Sequence, residues 1–94
     1  MVAYLYILKS QSNGRYYIGS AIDPARRLHE HNSGYVTATR NKGPWEQIKI
    51  VAFANDPTAR KAERYLKKQK SREATEKVIA DVFLWPTSIQ PLKQ

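Results

Sequence analysis

The chain has 94 residues, room for one domain with a modest core. Its 16 Lys and Arg against 8 Asp and Glu leave a net charge of +8, which favours a polyanionic partner through release of phosphate counterions. The chain has no cysteine, which excludes a disulfide framework or thiolate metal site, and no apolar run near the ~20 residues that span a bilayer. The N-terminus lacks the pattern of a secretory leader, so a cytoplasmic protein without membrane contact is expected.

Residues 2–9 (Val-Ala-Tyr-Leu-Tyr-Ile-Leu-Lys) are rich in strand formers and apolar on both alternating faces, the pattern of a central strand covered on both sides. Ser12-Asn13-Gly14 supplies turn chemistry before a second strand, Tyr16 to Gly19, and the two form an antiparallel hairpin. A two-residue turn at Asn13-Gly14 would leave Tyr6 and Tyr17 on one face but four residues apart. A wider loop from about Ser10 to Gly14 brings the two rings nearly level, and it is the favoured register.

Asp23-Pro24 starts a helix, with Asp as N-cap and Pro in the first turn. It runs to about Asn32, and Gly34 suits its C-terminal cap. The polar, basic stretch Tyr35 to Gly43 has no period and reads as a loop. Trp45 to Phe53 gives a third strand, with Ile48, Ile50 and Ala52 on one face and Lys49, Val51 and Phe53 on the other. Asp56-Pro57 repeats the helix start and leads to Lys68 or beyond. Ser71 caps a further helix through about Val82. Residues 1–83 are expected to form the domain and 84–94 a C-terminal tail, which Trp85 could fold back onto the body.

Several residues break these patterns in ways that point to chemistry. On the first helix Pro24, Arg27, Leu28 and His31 share one face. Leu28 turns that face inward, which pulls Arg27 to the rim of the core, while Arg26 and Glu30 can pair outside. A guanidinium there needs an anion, either internal or brought by a ligand. On the second helix Ala59, Ala62, Glu63 and Leu66 form the inward stripe. A carboxylate on that stripe needs a partner: a salt bridge to Arg27, or a divalent cation whose remaining sites are filled by water. Tyr4, Tyr6, Tyr16 and Tyr17 suit a sheet. For Tyr6 or Tyr17 to act as a base, a nearby cation must lower a pKa that is ordinarily near 10. His29 and His31 have no companions for a zinc site, and the glycines make no phosphate-cradling loop. Candidate phosphate contacts are Arg40 and Lys42 in the basic loop, and Arg60, Arg64, Lys67, Lys70 and Arg72 in the basic run from Arg60 to Arg72.

These residues resemble the GIY-YIG endonuclease superfamily. Tyr4-Leu5-Tyr6 stands in the place of the GIY triplet, and Tyr17-Ile18-Gly19 is the YIG triplet itself. Gly19 to Leu28 resembles the segment leading to the family's arginine, and Ala62-Glu63-Arg64-Tyr65-Leu66-Lys67 resembles the helix with its metal-binding glutamate. Small stand-alone members are also similar at Glu30-His31-Asn32-Ser33-Gly34 and from Lys67 to Glu73. The resemblance covers about Val2 to Lys77. It departs at Tyr4, which replaces a glycine, at Ser20, where some members carry lysine, and at Lys77-Val78-Ile79, where some nucleases carry asparagine.

The resemblance implies a compact α+β domain, with a three-stranded antiparallel sheet flanked by helices. It also implies hydrolysis of DNA phosphodiesters with one divalent ion, Mg²⁺ or Mn²⁺. Tyr6 and Tyr17 would then position and deprotonate the attacking water, and Arg27 would stabilise phosphate charge. His31 would assist in proton transfer or phosphate contact, and Glu63 would bind the metal. The alternatives from other classes are a non-catalytic nucleic-acid-binding module of the same fold and a subunit that needs a protein partner for targeting.

Overall fold

A computed structural model describes residues 1–93. Strand β1 (Ala3–Ser10) is the middle strand of a three-stranded antiparallel sheet, between β2 (Tyr16–Ala21) and β3 (Trp45–Phe53). Helices α1 (Pro24–Asn32), α2 (Asp56–Lys68) and α3 (Arg72–Ile79) complete the α+β fold, and Thr37–Thr39 form a short 3₁₀ turn. Among the described residues, no helix is long and apolar enough to cross a membrane.

Because β1 is central, both of its faces are covered. Ala3, Leu5 and Ile7 join Val51 and Phe53 of β3, Ala59, Ala62 and Leu66 of α2, Val78 of α3 and Ile89 in one apolar cluster. Tyr6 and Leu8 point the other way, to Trp45, Tyr17, Ala21 and Leu28 of α1. The unbroken apolar run of β1 thus serves two layers, α2 with α3 beneath the sheet and α1 above it.

The hairpin takes the wide loop. Tyr16 pairs with Lys9, Tyr17 with Leu8 and Gly19 with Tyr6, and the loop closes through Ser10 N–H to Arg15 O and Gly14 N–H to Ser10 O. Tyr6 and Tyr17 end up two residues apart on one face rather than level, with ring centroids 6.4 Å apart.

Three local expectations are corrected. Ile48 does not share a face with Ile50 and Ala52: a bulge between the Ile7–Lys49 and Leu8–Gln47 pairs turns it onto the Val51–Phe53 cluster. Bulges insert a residue in this way and break strict alternation. The cap of α2 is Asn55 rather than Asp56, and it accepts the Thr58 N–H at 2.9 Å. Asp56 instead pairs with Arg60 at 2.6 Å along the helix. Helix α3 stops at Ile79 rather than Val82, since Asp81 turns to φ +63°, a left-handed conformation that ends helices. The cap of α1 is as expected, with Asp23 accepting the Arg26 N–H.

Trp85 does fold the C-terminal segment back. Its ring meets Phe53 and Phe83 edge-on, at 5.7 Å and 4.7 Å. Ile89 is buried in the apolar cluster, and Leu92 N–H donates to Ala52 O at 2.8 Å. Gln94, the end of the expected tail, lies outside the described residues.

Candidate active site

The cross-strand pairing determines which side chains meet. Tyr17 and Gly19 lie on the α1 side of the edge strand β2, since Gly19 pairs with Tyr6. Ser20 pairs with Leu5 and so faces α2. The site is built around this edge, with Tyr6, Tyr17, Arg27 and His31 from the upper layer and Glu63 reaching it from below.

Gly19 has a steric reason. A Cβ there would run into the Tyr6 ring and its hydroxyl oxygen, so the glycine of the YIG triplet is what lets the first tyrosine lie flat across β2.

His31 is 2% exposed and Tyr6 is 1% exposed, so their contacts are shielded from water. Tyr6 Oη lies 2.9 Å from His31 Nε2, and His31 Nδ1 lies 2.7 Å from Thr39 Oγ1. Tyr17 meets the His31 ring edge-on at 4.7 Å. Burial, reinforced by the positive charge of Arg27, lowers the His31 pKa to about 4, so the imidazole is neutral near pH 7. Burial also raises the Tyr6 phenol above its ordinary value, and the Arg27 guanidinium beside its oxygen opposes that shift.

Arg27 pairs with Glu30 at 2.7 Å, and its own pKa is raised first by Glu30 and then by Tyr6. Arg26 reaches Glu30 only at 3.5 Å. The salt bridge between Arg27 and Glu63 that the sequence left open is not formed. Glu63 takes the Ser20 hydroxyl on Oε1 at 2.6 Å and the Lys67 ammonium on Oε2 at 2.7 Å. Lys67 Nζ also stands 5.7 Å from the Tyr17 ring centroid, which links the carboxylate to the tyrosine pair.

The basic candidates divide among several faces. Lys67, Lys70 and Arg72 line a groove of about 410 Å³ beside the site, with Arg15, Tyr16, Tyr17 and Ile18. Arg64 lines a different groove, with Lys61, Lys68 and Ile89. Arg60 is held by Asp56. Arg40 donates to Gly34 O at 2.9 Å, and the exposed Lys42 lies in the same loop. The 100° advance per residue of a helix explains why one charge run serves two faces.

Sequence reading missed Ser20, Thr39 and Asn32. Asn32 ties α1 to β3 by accepting the Trp45 N–H at 2.7 Å and donating to Trp45 O at 3.1 Å. Ser20 carried a faint signal, as the polar residue that follows the YIG triplet on the face opposite Gly19. Thr39 carried none, because its partner lies on another element.

Residues 2–77 match the model of the GIY-YIG catalytic domain. A UPF0213 protein of Streptococcus pneumoniae is 40% identical over 75 residues, which cover 79% of this chain and 75% of that one. The structure-specific endonuclease subunit SLX1 of Homo sapiens is 37% identical over 51 residues, 50% of this chain but 18% of that protein. Its Mus musculus counterpart is 35% identical over 51 residues, 50% of this chain and 19% of that protein. The chain therefore spans less than a fifth of these subunits. The solution structure of a UPF0213 protein from Bacillus halodurans superposes with a TM-score of 0.52 and 32% identity, over 85% of this chain and 84% of that one. With its triplets on paired strands and its arginine and glutamate on the flanking helices, this chain belongs to the GIY-YIG catalytic domain family.

Proposed function

We propose that the protein is a metal-dependent endonuclease that hydrolyses DNA phosphodiester bonds and acts on branched or damaged structures. The observation that carries this reading is the convergence of Tyr6, Tyr17, Arg27, His31 and Glu63 at the edge of β2. The net charge of +8 and the groove of Arg15, Lys67, Lys70 and Arg72 beside the site support a polyanionic substrate. A substrate chosen by its structure draws support from the name of the SLX1 relatives, structure-specific endonuclease subunits.

The donor set around Glu63 fits a hard cation such as Mg²⁺ or Mn²⁺. Among the described residues, no three His, Cys, Asp or Glu side chains gather into a protein cage. One carboxylate with water and phosphate oxygens is the coordination that Mg²⁺ commonly accepts. The carboxylate already carries a cation, the Lys67 ammonium, on one oxygen, while Ser20 orients the other. A divalent ion held here would supply Lewis-acid charge against the phosphate oxygens.

The protein's own groups do the rest. Tyr6 and Tyr17 hold a water beside the phosphate and take its proton as its oxygen attacks phosphorus and the bond to the leaving oxygen breaks. A phenol whose pKa is raised by burial is a poor base until it is proton-free, and the adjacent Arg27 favours that charged form. Arg27 also meets the negative charge that builds on the phosphate. His31, neutral at working pH, accepts a hydrogen bond or proton rather than acting as a fixed cation.

The test is cleavage of labelled linear, nicked and branched DNAs with Mg²⁺ or Mn²⁺, comparing wild type with Glu63→Ala. Metal-dependent products that vanish in the variant are expected. Absent or equal products would remove the catalytic role of Glu63, and intact binding without cleavage would identify a binding module. Cleavage that requires a stoichiometric co-purifying protein would identify a subunit targeted by its partner.

A further inference from the structure

We propose that Thr39 is a positioning residue that fixes the tautomer of His31 and thereby makes Tyr6 a donor to the histidine, with its oxygen free to accept from water. The inference rests on the nuclease reading for its catalytic consequence, although the hydrogen-bond direction stands apart from it.

The order of the protons is set at the ends of a buried chain of hydrogen bonds. At one end Thr39 Oγ1 lies 3.3 Å from the carbonyl oxygen of Val36, which can only accept. At the other lies the Tyr6 hydroxyl, which can donate or accept. Between these ends lie two contacts, Tyr6 Oη to His31 Nε2 at 2.9 Å and His31 Nδ1 to Thr39 Oγ1 at 2.7 Å. The acceptor-only carbonyl takes the Thr39 hydroxyl proton, and with one proton on the imidazole the order of the other links follows. Tyr6 O–H donates to Nε2, Nδ1–H to Thr39 Oγ1, and Thr39 O–H to Val36 O. Each link then carries one proton, as buried polar groups require.

The direction matters at Tyr6. With Nε2 bare, the phenol proton lies on the histidine side, and as Oη takes the proton of the attacking water it hands its own to Nε2. In the opposite tautomer Nε2–H would donate to Tyr6 and turn the phenol O–H away from the histidine. Tyr6 would then be a donor where an acceptor is needed. Thr39 is suited to hold this choice. It is 1% exposed, and its backbone is fixed by Thr39 N–H to Val36 O at 3.1 Å and by Trp45 Nε1–H to Thr39 O at 3.2 Å. Replacing the hydroxyl by a methyl leaves those backbone bonds in place.

The experiment pairs ¹⁵N NMR of His31 with single-turnover and steady-state cleavage, for wild type, Thr39→Val and Thr39→Ser. In wild type the expected signature is a protonated Nδ1 and a bare Nε2. Thr39→Val should lose that pure tautomer and lower kcat by about tenfold to a hundredfold, the usual scale for a group that orients a catalytic side chain, with KM nearly unchanged. Thr39→Ser should restore both. An Nε2–H tautomer in wild type overturns the proposal whether or not the protein cuts DNA. A Thr39→Val variant that cuts at the wild-type rate overturns the positioning role. Wild type that cuts nothing but shows the Nδ1–H tautomer overturns the nuclease reading and leaves the hydrogen-bond order established.

Discussion

The two faces of the central strand are built from opposite chemistry. Beneath the sheet, Leu5, Ile7, Val51, Phe53 and Leu66 interlock around the small Ala3, Ala59 and Ala62. Above it, Tyr6, His31 and Thr39 are buried just as completely, yet they are joined through hydrogen bonds. The lower layer gains free energy from water exclusion and close packing. The upper layer puts polar groups where each needs its partner, at a stability cost if one is lost. A domain this small keeps its apolar core on one side of a strand and most of its candidate site groups on the other, with Glu63 reaching them from below, and that separation can be tested from both sides.

The largest effect belongs to the lower layer. Phe53 is fully buried, pairs with Ala3 and meets Trp85 edge-on. Phe53→Ala should lower unfolding free energy by about 3–5 kcal/mol, the usual range for such a cavity. Urea unfolding measures it. A loss below about 1 kcal/mol would mean that the C-terminal segment and α2 collapse into the space, and that the lower layer is less rigid than its packing implies.

The upper layer should respond to acid. The His31 pKa falls from 6.5 to about 4 on folding, through burial first and Arg27 second, with Glu30 opposing and Tyr6 and Tyr17 packed against the ring. Since the unfolded chain binds the proton more readily, stability is fully present above pH 6.5 and is lost as pH falls towards 4. The difference corresponds to about 3 kcal/mol at most, at 1.36 kcal/mol per pKa unit. His31→Gln should be less stable near neutrality but flatter over that window. Parallel urea-stability curves for the two proteins would remove His31 as the source of acid sensitivity.

The sequence revealed the fold wherever its signals were local. Asp23-Pro24 and Ser71 start helices by capping geometry confined to a few residues, and the alternation of β1 follows directly from its apolar pattern. Where two signals competed or a distant pairing decided, reading failed. Asn55 and Asp56 are adjacent and both good caps, and the chain takes the first. The bulge at Ile48 depends on how β3 aligns with β1, which the alternation of β3 alone cannot encode. The site divides the same way. Tyr6, Tyr17, Arg27, His31 and Glu63 stood out through motif and misplaced charge, and the structure gathers them around β2. The partners of Glu63 and His31 did not stand out, because Ser20 and Thr39 are common residues whose meaning comes from what they touch.

The smallest effect concerns the link between the layers, where Lys67 and Ser20 hold the two oxygens of Glu63. These contacts differ in kind. Lys67 is half exposed and pairs along its own helix, a geometry worth about 0.3–0.5 kcal/mol in water. Ser20 reaches across from β2 at 2.6 Å, and hydrogen bonds to charged groups contribute about 1.5–3 kcal/mol. If the ammonium sits where a divalent ion would bind, removing it relieves a competitor of small strength, and Lys67→Met should tighten Mn²⁺ binding about twofold, the equivalent of that energy. Ser20→Ala should act the other way, since the carboxylate loses the contact that aims it. Isothermal titration with Mn²⁺ in the absence of DNA separates the two. Weaker binding in Lys67→Met would show that the ammonium helps to hold Glu63 in place, making the link between the layers part of the metal site rather than a stand-in for its ion.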